Sequence, residues 1–226
     1  MKKPDILAII PARGGSKEIP HKNIKEFASK PLIAHILATA QKSNMITRVV
    51  VSTEDTKIAA VVRSYGIELI KRPAELAFDH VPTVPVLVHA LEYLQKKENY
   101  SPDHVVLLYA TSPLLRVESL DKSLRDYLAS GADSGVGVVE SYDKFWKKTQ
   151  KYGKILYPKK RANRQQTKPI YRESGSLYIV RAPLLAEKHT LFGKNTHLAL
   201  LNHDECVDID TMSDFKYAEF LYSQRP

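Results

Sequence analysis

Cysteine is almost missing from this chain: the single one, Cys206, has no partner for an intrachain disulfide. That excludes a disulfide-stapled fold and makes a reducing cytoplasm the natural compartment. Cys206 lies in no motif and reads as a packing residue. No apolar run approaches the length of about eighteen residues that a membrane span needs, so no membrane partner is expected. The N-terminus passes from Met-Lys-Lys-Pro straight into an apolar segment, without the h-region and cleavage site of a signal peptide. Histidine occurs eight times, yet never in an H-E-x-x-H or Ser-His-Asp pattern, so surface or packing roles are expected for all of them. Glycine is sparse and forms neither G-x-x-x-x-G-K-S/T nor G-x-G-x-x-G. Internal repeats and low-complexity tracts are absent too.

What is present suffices for one sizeable domain: 226 residues with 43% hydrophobic content. Charge is unevenly placed. Between Lys147 and Arg172 there are ten Lys or Arg and no acid, against a net charge of +9 for the whole chain, so the remainder sums to −1. One segment is basic, not the protein. Such a run is usually a solvated face, but it also attracts anions, nucleic acid among them.

The first 130 residues alternate strand and helix signals. Apolar, β-branched runs at Asp5–Ile10, Arg48–Ser52, Glu68–Ile70 and His104–Tyr109 read as strands. Helices are expected over Pro31–Lys42, Glu54–Tyr65, Thr83–Lys97 and Ser119–Ser130, closed by signals such as Gly66 and Gly131. Repeated βα units imply an α/β fold with a mostly parallel sheet and helices on both faces. After Val139 the pattern breaks, and Glu140–Thr167 holds too few apolar residues for a core, with Lys154–Tyr157 read as part of a short hairpin. It resumes at Ser176–Val180, a helix near Ala182–Lys188, a strand near His197–Leu201 and a final helix Met212–Tyr222.

Two segments carry chemistry. The first, IPARGGSKEIPHKNI from Ile10 to Ile24, follows the first strand, where α/β proteins place ligand loops. Gly14 and Gly15 permit close backbone approach, while Arg13, Lys17 and Lys22 supply charge for phosphate, beside Ser16 and Asn23. A plain basic turn is the alternative. The second is Val207-Asp208-Ile209-Asp210. At a strand end, Asp208 and Asp210 would face the same side as a carboxylate pair, suited to Mg²⁺. The alternative is a helix start, because Thr211-x-x-Asp214 is a capping box.

Seven blocks in order tie these segments together: IPARGGSKEIPHKNI, VVVSTED, KRPAELAFD, VHALEYL, LLYATSPLLR, YRESGSLYIV and VDIDTMSDF. In this order they resemble the acylneuraminate cytidylyltransferase family, also called CMP-sialic acid or CMP-nonulosonic acid synthetases. The resemblance implies a three-layer α/β/α Rossmann-like nucleotidyltransferase fold, with residues 1–226 as one cytidylyltransferase domain. It implies a homodimer, with the basic stretch 139–168 as the arm that reaches the second subunit. The implied reaction joins a nine-carbon keto-sugar acid to CMP from CTP, with Mg²⁺ as cofactor. It assigns Arg13, Lys17, Lys22, Asp208 and Asp210 to catalysis, the two aspartates as metal ligands. Arg13, Gly14, Gly15, Ser16, Lys17, Lys22, Asn23, Arg72, Asp79 and Thr83 fall at nucleotide positions. Arg72 could instead be a loop residue after a strand, and Asp79 or Thr83 a helix cap.

Tyr109 and Arg172 fall at sugar positions. A bidentate arginine recognises a carboxylate well, although Arg172 could be one more cation of the basic segment. Two departures bear on the sugar. Ser174 stands before Gly175 where many relatives have Asn, and Leu108-Tyr109-Ala110-Thr111-Ser112-Pro113 replaces the Leu-Gln-Pro-Thr-Ser-Pro typical of sialic acid synthetases. Tyrosine replaces an amide that donates and accepts by a larger phenol. Tyr-Ala-Thr occurs in relatives that activate pseudaminic acid, which points to a modified nonulosonic acid. A Kdo-type cytidylyltransferase, acting on an eight-carbon acid, is the alternative within the class, but that branch lacks the Gly-Gly-Ser-Lys and Lys-Asn elements. A nucleic-acid-binding protein using residues 147–172, with Tyr152, Tyr157 and Tyr171 to stack on bases, is the alternative outside it. No binding-module signature accompanies that segment, so no nucleic acid is expected.

Overall fold

The computed structural model describes residues 3–157 and 163–225. Strand β1 (Ile6–Pro11) is followed by a long loop with a small hairpin, β2 (Glu26–Phe27) and β3 (Lys30–Pro31), and then α1 (Leu32–Lys42). Three βα steps come next: β4 (Arg48–Thr53) with α2 (Thr56–Ser64), β5 (Glu68–Lys71) with α3 (Thr83–Glu98), and β6 (His104–Leu108) with α4 (Val117–Ser130). Strand β7 (Ser134–Ser141) leads out to a separate hairpin, β8 (Trp146–Lys148) and β9 (Gly153–Ile155). The chain returns along β10 (Ile170–Arg181), continuing through α5 (Ala182–Lys188), β11 (Thr196–Leu200) and α6 (Met212–Ser223).

The main sheet has the order β11-β7-β10-β6-β1-β4-β5. It is parallel except for β10, which runs antiparallel to both β6 and β7. The period-2 alternation of β1 explains the layers. Ile6, Ala8 and Ile10 face α1, α2 and α4, through Ile33, Ile36, Leu37, Ile58 and Leu124 among others. Leu7 and Ile9 face α3 and α5, through Leu87, Leu91 and Leu185. The result is a three-layer α/β/α, Rossmann-like arrangement. Truncating a fully buried member such as Ile9 to Ala is worth about 2–5 kcal/mol.

Several expectations need adjusting. The helix after β4 starts at Thr56, not Glu54, because Asp55 is its N-cap and accepts from the N–H groups of Lys57 and Ile58. Strand β7 is an addition to the expected set, since glycine and serine interrupt its apolar run. Those glycines are steric: a Cβ on Gly137 would lie 2.7 Å from Ser174 Oγ. The segment Val207–Asp210 is not a strand end but irregular chain. Ile209 between the two carboxylates is buried with Ile19, Phe27, Leu32, Leu114, Phe215 and Ala218, and the charge of Asp210 is felt at Asp208. This third core staples the first loop, the turn after β6 and α6 together. Thr211 and Asp214 form the capping box of α6, so Asp210 does not cap it. Lys159, Lys160, Arg161 and the side chain of Arg164 lie outside the described residues. Among the described residues no helix is long and apolar enough to cross a membrane.

Burial also sets a pH dependence. His35, on α1, donates Nε2–H to the Phe27 carbonyl at 2.9 Å and is held below its ordinary 6.5, chiefly by loss of hydration. His89 and His104 are lowered for the same leading reason. As pH falls through 6.5 the unfolded chain binds protons that the fold refuses, so stability falls with it until the folded pKa is passed. The urea midpoint should therefore drop between about pH 7 and about pH 5.5, and His35→Gln should flatten that slope. An unchanged slope would assign the dependence to other groups.

Candidate active site

Strand β1 neighbours both β4 and β6, and the connections leave its two sides in opposite directions. That is the switch point where α/β sheets open a crevice beyond the strand ends. The loops after β1, β5 and β6 and the segment before α6 meet there in a cleft of about 520 Å³. From the first loop it receives Arg13, Ser16, Lys17, Lys22 and Asn23. From beyond β5 it receives Arg72, Asp79 and Thr83, from the turn after β6 Tyr109 and Thr111, and from the segment before α6 Asp210.

The first loop is tied down residue by residue. Gly14 donates its N–H to Glu54 Oε1 at 2.7 Å, and a Cβ there would sit 2.3 Å from Asp55 Oδ2, so a side chain at 14 would have to displace the residue that caps α2. A Cβ on Gly15 would meet no described atom within 4 Å, which leaves that side open. Asn23 is buried and donates Nδ2–H to the Arg13 carbonyl at 2.9 Å. His21 adopts φ 53°, an uncommon conformation for a residue with a Cβ, and turns the chain so that Lys22 follows. Lys22 Nζ then donates to the Ile209 carbonyl at 2.5 Å and pairs with Asp210 at 3.2 Å. Cation and carboxylate segments are thus joined across 188 residues.

Across the cleft, Asp79 pairs with Arg13 at 2.6 Å and with Lys17 at 2.5 Å. The hydrogen bond from Lys17 leads in holding its carboxyl below the usual range. Among the described residues no side chain caps α3, whose N-cap is Pro82, so neither Asp79 nor Thr83 serves as that cap. Thr83 instead shares a hydrogen bond of 2.9 Å with the Tyr109 hydroxyl. Tyr109 stands edge-on to Tyr178 at 6.3 Å, and burial raises its pKa. Arg72 is 4% exposed, with Nη2 donating to the Ser52 carbonyl at 2.6 Å and Nε to Ser52 Oγ at 3.3 Å.

Asp208, Gly14, Gly15 and Arg172 are not among the residues that line the cleft. Although open to solvent by area, Asp208 sits in a concavity, and the lost hydration raises its pKa, a hydrogen bond with Thr111 opposing and Asp210 adding. Ile209 N–H donates to the Thr111 carbonyl at 2.9 Å, which fixes the pair against the turn after β6. Gly175 takes φ +73°, and a Cβ there would lie 3.1 Å from Asp208 Oδ2. Arg172 is exposed on the outer half of β10, away from the other sugar position, Tyr109. Glu54, Asp55, Thr111 and Gly175 are residues of the site that motif reading passed over. Each lies in a quoted block, but only the contacts mark it.

Among the described residues no group of three or more His, Cys, Asp or Glu is placed to hold a metal ion. Two carboxylates repelling one another beside a cleft roomy enough for a polyphosphate do fit Mg²⁺, which keeps several waters and takes the rest of its oxygens from phosphate.

A crevice at the switch point, lined with cations from the first loop and with Asp210 paired to Lys22, is where an α/β protein binds an anionic ligand such as a nucleotide. The sequence model of the family described as Cytidylyltransferase matches residues 7–225, and the chain belongs to that family. It is 32% identical over 222 residues to the CMP-N,N'-diacetyllegionaminic acid synthase of Legionella pneumophila, covering 96% of this chain and 95% of that one. It is 30% identical over 222 residues to the pseudaminic acid cytidylyltransferase of Campylobacter jejuni, with the same 96% and 95% coverage. Among solved structures, a CMP:2-keto-3-deoxy-manno-octonic acid synthetase complexed with CTP superposes with a TM-score of 0.73 at 19% identity, covering 97% and 99% of the two chains. At that identity the likeness establishes the fold.

Proposed function

We propose that the protein joins CMP, taken from CTP, to a nonulosonic acid and releases pyrophosphate. The observation that carries this is the convergence of Arg13, Lys17 and Lys22 on one cleft, with Asp210 paired to Lys22 at its edge. The anomeric hydroxyl of the sugar acid forms a bond to the α-phosphorus. The bond to the bridging oxygen breaks, pyrophosphate leaves with the electron pair, and the hydroxyl proton passes to solvent. Little covalent work falls to the protein; positioning and neutralisation carry the rate.

Arg13, Ser16 and Lys17 bind the triphosphate, and Lys22 meets the charge that builds on the leaving group. Gly14 and Gly15 let the loop lie close, with Asn23 holding its shape. Asp79 keeps Arg13 and Lys17 in the cleft until phosphate oxygens replace its carboxylate. Arg72, with Thr83, borders the cytidine. Mg²⁺, held by Asp208 and Asp210, would supply further neutralisation of phosphate charge. Tyr109 borders the sugar, and Arg172 would reach the sugar carboxylate only if the outer half of β10 bends inward or serves the neighbouring subunit of a homodimer. The enzyme belongs in the cytoplasm, where CTP is at hand and Cys206 stays a thiol. Pyrophosphate release measured with CTP against pseudaminic, legionaminic and N-acetylneuraminic acids and Kdo tests the reading. Release with none of them, or with Kdo alone, would overturn it.

Sugar choice follows from Tyr109. A 5,7-disubstituted acid should be used better than N-acetylneuraminic acid. Tyr109→Gln should shift the ratio of kcat/KM values toward N-acetylneuraminic acid by about tenfold, the worth of one hydrogen bond. A wild-type enzyme that strongly prefers N-acetylneuraminic acid would refute this.

A further inference from the structure

Glu54 stands at the carboxyl end of β4, next to the residue that caps α2. Its neighbour Asp55 does the structural work there, accepting from Lys57 N–H at 2.8 Å and Ile58 N–H at 2.9 Å. Glu54 instead turns toward the first loop and Arg72 and divides its two oxygens. Oε1 accepts from Gly14 N–H at 2.7 Å, which sets the first loop. Oε2 is buried without a hydrogen-bond partner among the described residues and lies 3.8 Å from Arg72 Nη1. A buried carboxylate oxygen left without a donor is costly, so its retention calls for an explanation.

Arg72 supplies one. Its guanidinium is buried, and Nε and Nη2 are spent on Ser52, so Nη1 is the edge that faces Glu54. Loss of hydration lowers its pKa most, Glu54 opposes that, and Arg13 adds to it. Glu54 is thus the carboxylate that offsets the repulsion between the two arginines, while Asp79 pairs with Arg13 and Lys17.

We propose that Glu54 is a positioning residue for the nucleotide: one carboxylate oxygen fixes Gly14 of the phosphate-binding loop, and the other holds Arg72 at the cleft wall. The inference rests on the cytidylyltransferase reading and deepens it. Glu54 touches no substrate; it acts through the Gly14 backbone and the Arg72 side chain. Glutamine at 54 keeps an acceptor for Gly14 but loses the charge facing Arg72, whereas alanine loses both.

Three variants, Glu54→Gln, Glu54→Ala and Arg72→Lys, with the Glu54→Gln/Arg72→Lys double variant, test it by CTP calorimetry, thermal melting and steady-state kinetics. Glu54→Gln should melt like the wild type, raise the Kd and KM for CTP about tenfold, and leave the KM for the sugar within about twofold. Glu54→Ala should weaken CTP by about a hundredfold. The double variant should lose little beyond Arg72→Lys alone, because the two residues act as one unit. Wild-type CTP affinity in Glu54→Gln, equal losses for both substrates, or strict additivity in the double variant would each overturn the assignment. Should Glu54→Ala fail to fold, Glu54→Gln and the cycle still decide. A wild-type protein that neither binds CTP nor releases pyrophosphate would defeat the functional reading itself, an outcome distinct from an active enzyme indifferent to Glu54→Gln.

Discussion

Asp208→Asn and Asp210→Asn should each lower turnover by about two to three orders of magnitude, the usual cost of removing a group aimed at transition-state charge. Neither change should unfold the protein. Asp208 and Asp210 repel one another, so neutralising either relieves strain in the fold. The segment stays anchored by Ile209, buried in the third core, and by its N–H on the Thr111 carbonyl. Helix α6 keeps its cap, because Thr211 and Asp214 make the reciprocal bonds without Asp210. Asp214→Ala should cost about 0.5–2 kcal/mol of stability through the cap, and because its carboxylate also accepts from the Asp210 N–H at 3.2 Å it should lower turnover too, by less than removal of either carboxylate. Lys22 complicates Asp210 alone, since it loses its ion pair there but keeps the Ile209 carbonyl. Some of the Asp210 effect should therefore appear as weaker triphosphate binding, while the Asp208 effect should fall on turnover. Full activity in both variants, with a divalent cation still required, would move the metal elsewhere.

The split between what sequence revealed and what it hid follows the range of the forces involved. Strands β1, β4, β5 and β6 are continuous Val, Ile and Leu runs bounded by proline, glycine or charge, and their limits were legible to within a residue. Strand β7, SGVGVVES, was not, because its glycines answer to Ser174 and Tyr127, which no local window contains. The reversal of β10 was hidden for the same reason: direction depends on the path through the residues before it. In VDID the alternation of polar and apolar residues was legible and the absence of a ladder was not, since burial of Ile209 can impose period 2 on irregular chain. Residue types at the site were visible in the first loop, yet their pairing was not. That Asp79 would sit on Arg13 and Lys17, and Thr83 on Tyr109, depends on folding the loops after β5 and β6 against the loop after β1.

Deleting Tyr142–Gln165 should give a soluble, folded monomer with turnover reduced at least about a hundredfold, the scale of loss when a site is left misaligned. The fold should survive because the excised segment begins and ends beside itself. Ser141 of β7 pairs with Ile170 of β10, so the remaining Gln166–Pro169 can close the turn at a normal hairpin length. Nothing in the two main cores comes from the removed residues. What is removed is an arm whose strands β8 and β9 pair with each other and with no further strand among the described residues. Isolated two-stranded hairpins are marginal in water, and this one leaves Trp146 58% and Tyr152 69% exposed, with Phe145 and Leu156 beside them. Trp146 does stack edge-on with Tyr157 at 6.0 Å, which organises the hairpin but does not cover it. A second copy of the chain would supply the missing surface, and aromatic residues are the kind that such interfaces favour. The cations that flank the hairpin oppose association unless they face solvent or an anion. An anionic substrate in the partner's cleft would answer that need, and the arm would then lie across the neighbour's site and make activity depend on the dimer. Light scattering on the intact protein at micromolar concentration gives the deciding comparison. A fully active monomer there would free the arm from this role and leave its charge to be tested against nucleic acid or an anionic membrane surface.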